Sequence, residues 1–92
     1  MKDSCKIDTL CVQAGWKPET GESRIPPIVQ STTFFYGDSQ AMADLFDLKR
    51  DGFFYSRLAN PTVDVLEKKV AALEGGVCGI GCASGMSAIL LT

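Results

Sequence analysis

The sequence has no histidine, no apolar run long enough to cross a bilayer and no surplus of basic residues, and each absence closes a class of function. Without imidazole there is no mixed cysteine–histidine metal site. Lys and Arg number 9 against 11 Asp and Glu, a net charge of -2, so no basic surface argues for nucleic acid or an anionic membrane. The N-terminus, Met1-Lys2-Asp3-Ser4-Cys5-Lys6, has no apolar h-region behind it, which excludes the pattern of a secretory signal. Nothing approaches the roughly 20 apolar residues of a membrane helix. Internal repeats and low-complexity segments are missing too. The expectation is a cytoplasmic protein whose partner is a small molecule or another protein, with no nucleic acid and no membrane.

What is present suits one small domain: 92 residues, 46% of them hydrophobic and 22% charged, which is globular rather than disordered composition. Four cysteines invite a disulfide or zinc reading. Cys78 and Cys82 lie four apart in what reads as a strand, which separates their Cα atoms by roughly 13 Å. Neither a disulfide nor a shared metal ion spans that. Cys5 and Cys11 have no vicinal partner, so all four are expected to be reduced, small apolar side chains.

Taken in order, Ile7, Leu10 and Cys11 form an apolar stripe at helical spacing over Ile7 to Gln13, with Gly15 as its stop. Pro18, Gly21, Pro26 and Pro27 then favour an extended arm over either helix or central strand. Its apolar members, Ile25, Ile28, Val29, Phe34, Phe35 and Tyr36, are too many for a free linker and are expected to pack on something, such as a neighbouring subunit. Asp38 or Ser39 caps a second helix to about Lys49, with Met42, Leu45 and Phe46 inward and Asp44 and Asp47 outward; Arg50, Asp51 and Gly52 close it. Phe53-Phe54-Tyr55 reads as core aromatics. Asn60-Pro61 starts the best-defined helix, with Asn60 as cap. Val63, Leu66, Val70 and Leu73 form its apolar face and Glu67, Lys68 and Lys69 its solvated one, until Gly75-Gly76 ends it.

The stretch Val77-Cys78-Gly79-Ile80-Gly81-Cys82-Ala83-Ser84-Gly85-Met86-Ser87-Ala88 reads as buried strand, tight turn and helix start. Backbone N–H groups unpaired at such a helix start, with the positive end of the helix dipole behind them, suit an anion. A plain turn between two buried elements has the same composition, so both readings stand on this stretch alone. A nucleotide P-loop is excluded, because Gly79 to Ser87 lacks a Gly-Lys-Ser/Thr ending. Helix, two glycines, strand, turn and helix together predict an α/β fold of the parallel-sheet kind. Ala88-Ile89-Leu90-Leu91 is apolar all round and no cap follows it, the pattern expected of the front piece of a longer protein interrupted inside a helix.

Tyr55-Ser56-Arg57, Asn60-Pro61-Thr62, Glu74-Gly75-Gly76 and Ala83-Ser84-Gly85-Met86, in this order, resemble the transsulfuration enzymes of cysteine and methionine metabolism that depend on pyridoxal 5'-phosphate (PLP). Thr9-Leu10 to Gly15 and Pro26-Pro27-Ile28-Val29-Gln30-Ser31-Thr32-Thr33 resemble that family's N-terminal arm, so the likeness covers nearly the whole chain. Ala43-Asp44-Leu45-Phe46 and Leu48-Lys49 most resemble its O-acetylhomoserine sulfhydrylase branch. The resemblance implies an N-terminal arm with short helices making oligomer contacts over 1–52. It also implies the start of a fold-type I α/β PLP-binding domain over 53–92, within a homo-oligomer expected to be a tetramer. It implies that backbone N–H groups of Gly85 and Met86, with Ser84 adjacent, hold the cofactor phosphate, and that Tyr55 and Arg57 reach the phosphate of the neighbouring subunit.

The family's activity would be γ-replacement on O-acetylhomoserine with sulfide or a thiol, giving homocysteine or methionine; methionine γ-lyase and cystathionine γ-synthase or lyase activities share the main motifs. None of Lys2, Lys6, Lys17, Lys49, Lys68 or Lys69 sits in the family's Schiff-base lysine motif, so no catalytic residue is expected within these 92 residues. A non-catalytic phosphate-binding or subunit-interaction module is the competing reading. Without the resemblance, Arg57 reads as a surface salt bridge, Tyr55 as a half-buried aromatic and Ser87 as a capping residue.

Overall fold

Asn60-Pro61, Asp38-Ser39 and Ser84-Gly85 each place a capping or helix-initiating residue ahead of a helix-forming run, and at each of them a helix begins. A computed structural model describes residues 5–49 and 51–92; the predicted closure at Arg50 and the segment Met1–Ser4 lie outside the described residues. Among the described residues the helices are α1 Ile7–Gln13, α2 Ser39–Phe46, α3 Pro61–Glu74 and α4 Gly85–Leu91. No helix is long and apolar enough to cross a membrane. The chain divides into two units, one made of the described residues up to Pro27 together with Thr62–Thr92, the other of Ile28–Pro61.

In the first unit, α1 ends where predicted, and the residue just past it, Ala14, is 1% exposed. Gly15 follows at φ +90°, tight against α3: a Cβ there would stand 2.5 Å from the Val65 carbonyl oxygen. The apolar stripe of α1 is covered only in part, with Leu10 half-buried and Ile7 and Cys11 exposed. Helix α3 closes as the glycine pair predicts. Gly75 takes φ +68° and the Gly76 N–H donates to the Ala71 carbonyl at 2.8 Å, the 6→1 bond of a Schellman end. Thr62 Oγ1 ties the start of α3 to the arm by donating to the Pro27 carbonyl at 2.9 Å.

In the second unit, Asp38 is the cap: its Oδ1 accepts the Ala41 N–H at 2.7 Å. Helix α2 stops at Phe46, short of the predicted Lys49, and the stop is made by a leucine. Leu48 stands at φ 59°, its N–H donates to Leu45 and the Lys49 N–H donates to Asp44, which is the Schellman geometry without a glycine. Leu45 is buried at 2%, while Phe46 packs on Phe54 at 4.9 Å between ring centroids. Phe34 meets Phe53 at 6.1 Å, and the Tyr36 hydroxyl donates to the Phe53 carbonyl. The aromatic cluster is therefore packing, as its composition suggests.

Three expectations are corrected. The run from Val77 is neither a strand nor buried: Val77 and Ile80 are exposed, and the described residues offer it no partner strand. Extended backbone needs a neighbouring main chain to take its hydrogen bonds; here Gly79 and Gly81 lie on α3 instead. The α/β class is thus met in its helices, while the only strand pairing among the described residues is an isolated antiparallel bridge between Thr33 and Tyr55. Second, the predicted face of α3 is open, with Val63, Leu66 and Val70 between 43% and 57% exposed. Third, the cysteines are free but do not pack inside: Cys11, Cys78 and Cys82 are exposed and Cys5 is half-buried. Ile25, Ile28 and Phe35 of the arm are likewise exposed.

Candidate functional site

Tyr55-Ser56-Arg57 sits on a tight turn whose main chain is fixed from both sides. The Tyr55 carbonyl accepts from Leu58 N–H at 3.0 Å and Ala59 N–H at 3.1 Å, closing the turn, while the Ser56 N–H donates to the Thr32 carbonyl at 2.8 Å. The bridge between Tyr55 and Thr33 continues that pairing. Side chains finish the work: Ser56 Oγ donates to the Ser31 carbonyl, and the Asn60 amide donates to the Val29 carbonyl at 3.1 Å and to Ser56 Oγ at 2.9 Å. The arm segment 29–33 is in this way stapled to the turn that carries Tyr55 and Arg57. Asn60, expected as a cap alone, serves as one of these staples.

On this turn Tyr55 is half-buried, as its core reading suggests, and Arg57 is exposed with its guanidinium carbon 5.4 Å from the centre of the Tyr55 ring. That is cation–π distance. Among the described residues Arg57 makes no salt bridge; the ion pair there joins Lys68 to Asp64. A guanidinium without an ion-pair partner among the described residues and a phenol beside it present the donor types that a phosphate dianion takes.

The other candidates lie in the first unit. Ser84 is the N-cap of α4, its Oγ accepting the Ser87 N–H at 3.1 Å and meeting Ser87 Oγ at 3.0 Å. Capping therefore accounts for both serines. It also leaves the Gly85 and Met86 N–H groups, at the first two helical positions, outside the intrahelical pattern. A Cβ at Gly85 would meet nothing within 4 Å, so packing within the chain does not account for a glycine at this position. Arg57 and Tyr55 on the one hand, and Ser84, Gly85 and Met86 on the other, belong to different units.

Both donor sets fit a phosphate: main-chain amides at a helix start, and an exposed guanidinium with a phenol beside it. Among the described residues no group of three or more His, Cys, Asp or Glu side chains is placed to hold a metal ion. Pattern reading gives Ser56 and Asn60 structural duties without finding their partners, and it misses Ser31 and the role of Glu67, whose Oε2 accepts the Gly81 N–H at 2.6 Å. No local signal marks the bonds to Ser31, Val29 and Gly81, which join residues 14 to 31 apart in sequence.

The model of the family described as Cys/Met metabolism PLP-dependent enzyme matches residues 8–92, and the chain belongs to that family. It is 46% identical over 92 residues to the O-acetyl-L-homoserine sulfhydrylase of Leptospira meyeri, covering 99% of this chain and 21% of that protein. With O-acetyl-L-homoserine sulfhydrylase 1 of Thermus thermophilus it is 47% identical over 87 residues, covering 94% of this chain and 21% of the relative. A crystal structure of an O-acetylhomoserine (thiol)-lyase from Campylobacter jejuni, solved with pyridoxyl-lysine monophosphate, superimposes with a TM-score of 0.85 at 38% identity, over 94% of this chain and 20% of its own. The chain thus spans about a fifth of the length of these relatives.

Proposed function

We propose that the chain is the N-terminal, phosphate-holding part of a PLP-dependent enzyme of sulfur amino-acid metabolism. Its reaction is γ-replacement: acetate leaves the γ-carbon of O-acetylhomoserine and sulfide or a thiol takes its place, giving homocysteine or methionine. The observation that carries this reading is the similarity to O-acetyl-L-homoserine sulfhydrylases across nearly all of this chain. When bound, the cofactor supplies the electron sink for a carbanion at the substrate α-carbon.

This chain's share is binding. Gly85 and Met86 donate main-chain N–H groups to the cofactor phosphate and Ser84 fixes the helix start behind them. Tyr55 and Arg57 donate to the phosphate held by a neighbouring subunit, within a homotetramer. Residues 1–52 form an arm with short helices for subunit contacts, and 53–92 begin a fold-type I α/β PLP-binding domain, whose sheet would be completed by chain beyond these residues. A cytoplasmic location suits such a metabolic enzyme.

The test is to supply the purified enzyme with PLP, O-acetylhomoserine and sulfide and to follow homocysteine and acetate together. Equal release of both is expected. Ammonia and a 2-oxo acid in place of homocysteine, with acetate still released, would replace the assignment by γ-elimination, and no turnover with cofactor bound would overturn it. Arg57→Ala is expected to weaken PLP binding at least about tenfold, the size of a charged hydrogen-bond pair. Unchanged cofactor occupancy on dialysis would remove Arg57 from the site.

A further inference from the structure

Patterning puts Glu67 on the solvated face of α3 beside Lys68 and Lys69, but its carboxylate is engaged. Oε2 accepts the Gly81 N–H at 2.6 Å across 14 residues of sequence. The backbone of Glu67 is also the surface on which Gly79 rests, where a Cβ would come within 2.8 Å of the Glu67 carbonyl oxygen. Gly81 lies nearly as close, with its Cβ position 3.3 Å from Val63 Cγ1. Lys68, the nearest cation in sequence, is taken by Asp64 at 2.8 Å. One turn of α3 thus holds two glycines of the segment that leads into α4.

Glycine at 79 and 81 gives that segment wide conformational freedom. Only Cys82 and Ala83 separate the bonded amide from the Ser84 cap. The direction in which the chain enters α4 therefore depends on where Gly81 is held, and the bond holding it is charge-assisted, the stronger class. We infer that Glu67 is a positioning residue: its carboxylate fixes the Gly81 amide and so sets the place of the Ser84-Gly85-Met86 turn. It touches neither cofactor nor substrate. The inference rests on the proposed assignment of that turn to the cofactor phosphate.

Glu67→Ala, Glu67→Gln and a neighbouring control, Lys68→Ala, separate the possibilities in the holoenzyme. Three quantities are read: amide hydrogen exchange at Gly81, the dissociation constant for PLP, and kcat at saturating PLP. Loss of one charge-assisted bond predicts that Glu67→Ala speeds Gly81 exchange and weakens PLP binding, each by about tenfold, with kcat at saturating cofactor within about twofold. Glutamine keeps an acceptor oxygen, so Glu67→Gln should recover most of both losses, and Lys68→Ala should change neither. Unaltered Gly81 exchange in Glu67→Ala overturns the inference, as does faster exchange with unaltered PLP affinity, or a glutamine variant as damaged as the alanine one. If the unsubstituted protein does not bind PLP, the phosphate reading itself falls and the inference with it, while exchange at Gly81 still reports whether the bond exists.

Discussion

Leu48 occupies a backbone conformation that L-residues with a Cβ avoid, at φ 59°, and its side chain is 89% exposed, so little packing offsets the strain. Left-handed geometry costs a non-glycine residue about 1 kcal/mol. Leu48→Gly is therefore expected to raise the denaturation midpoint by the equivalent of roughly 0.5–1 kcal/mol, less than the full strain because glycine also gains freedom in the unfolded chain. A lowered midpoint would mean that the leucine makes a contact worth more than its strain. Gly85 poses the opposite case, since a Cβ there meets no atom of this chain within 4 Å and alanine is a good residue for a helix start. Gly85→Ala should leave the helix content unchanged and yet weaken PLP binding by about tenfold, the result expected if the phosphate comes close to this backbone. Equal affinity in both proteins would show that the ligand does not come close to this backbone.

Helices α1 and α3 meet at Gly15, and the contact gives a controlled comparison. Gly15 and Gly21 both stand at φ +90°, but a Cβ at Gly21 meets nothing within 4 Å whereas one at Gly15 lies 2.5 Å from the Val65 carbonyl oxygen. Gly21→Ala should cost about 1 kcal/mol, the conformational part alone. Gly15→Ala adds a backbone overlap and should cost well over ~2 kcal/mol, read as the larger drop in urea midpoint. Equal costs would show that α1 shifts freely on α3. The element boundaries also show what the sequence could reveal. Asp38 and the Gly75-Gly76 end act on backbone groups within five residues, and Pro61 sets a helical start by its own ring, so their chemistry is written locally, and these ends fall where the pattern puts them. Leu48 carries no such mark, because leucine is not a residue whose type favours the left-handed conformation it takes here. Glu67 and the staples Ser31, Ser56 and Asn60 act across 14 to 31 residues, and no periodicity announces such pairings. The run after Val77 failed as a strand for a related reason: its composition suits a sheet, but the described residues hold no strand to pair with it.

At the scale of the whole molecule, most of the apolar surface lies open. The described residues bury only Ala14 and Leu45 among apolar side chains, while Val63, Leu66 and Val70 of α3, Ile89 and Leu90 of α4, and Ile28 and Phe35 of the arm are exposed. Surfaces of this kind are covered when a chain works within a larger body, in keeping with relatives about five times as long. The two donor sets proposed for the cofactor phosphate, Tyr55 with Arg57 and Gly85 with Met86, are then assigned to different copies of the chain, and that assignment has a direct consequence. An Arg57→Ala enzyme and a Gly85→Ala enzyme are each defective at every site. If they are unfolded together and reassembled, a mixed pair of chains contains one site with both defects and one with neither, because the intact Gly85 of the first chain meets the intact Arg57 of the second. Random pairing makes half of the pairs mixed and restores one of the two sites in each, so about a quarter of the unsubstituted activity should return at subsaturating PLP. Were Arg57 and Gly85 of one chain to serve the same cofactor, every site in the mixture would keep a defect and the activity would stay at the level of the separate variants.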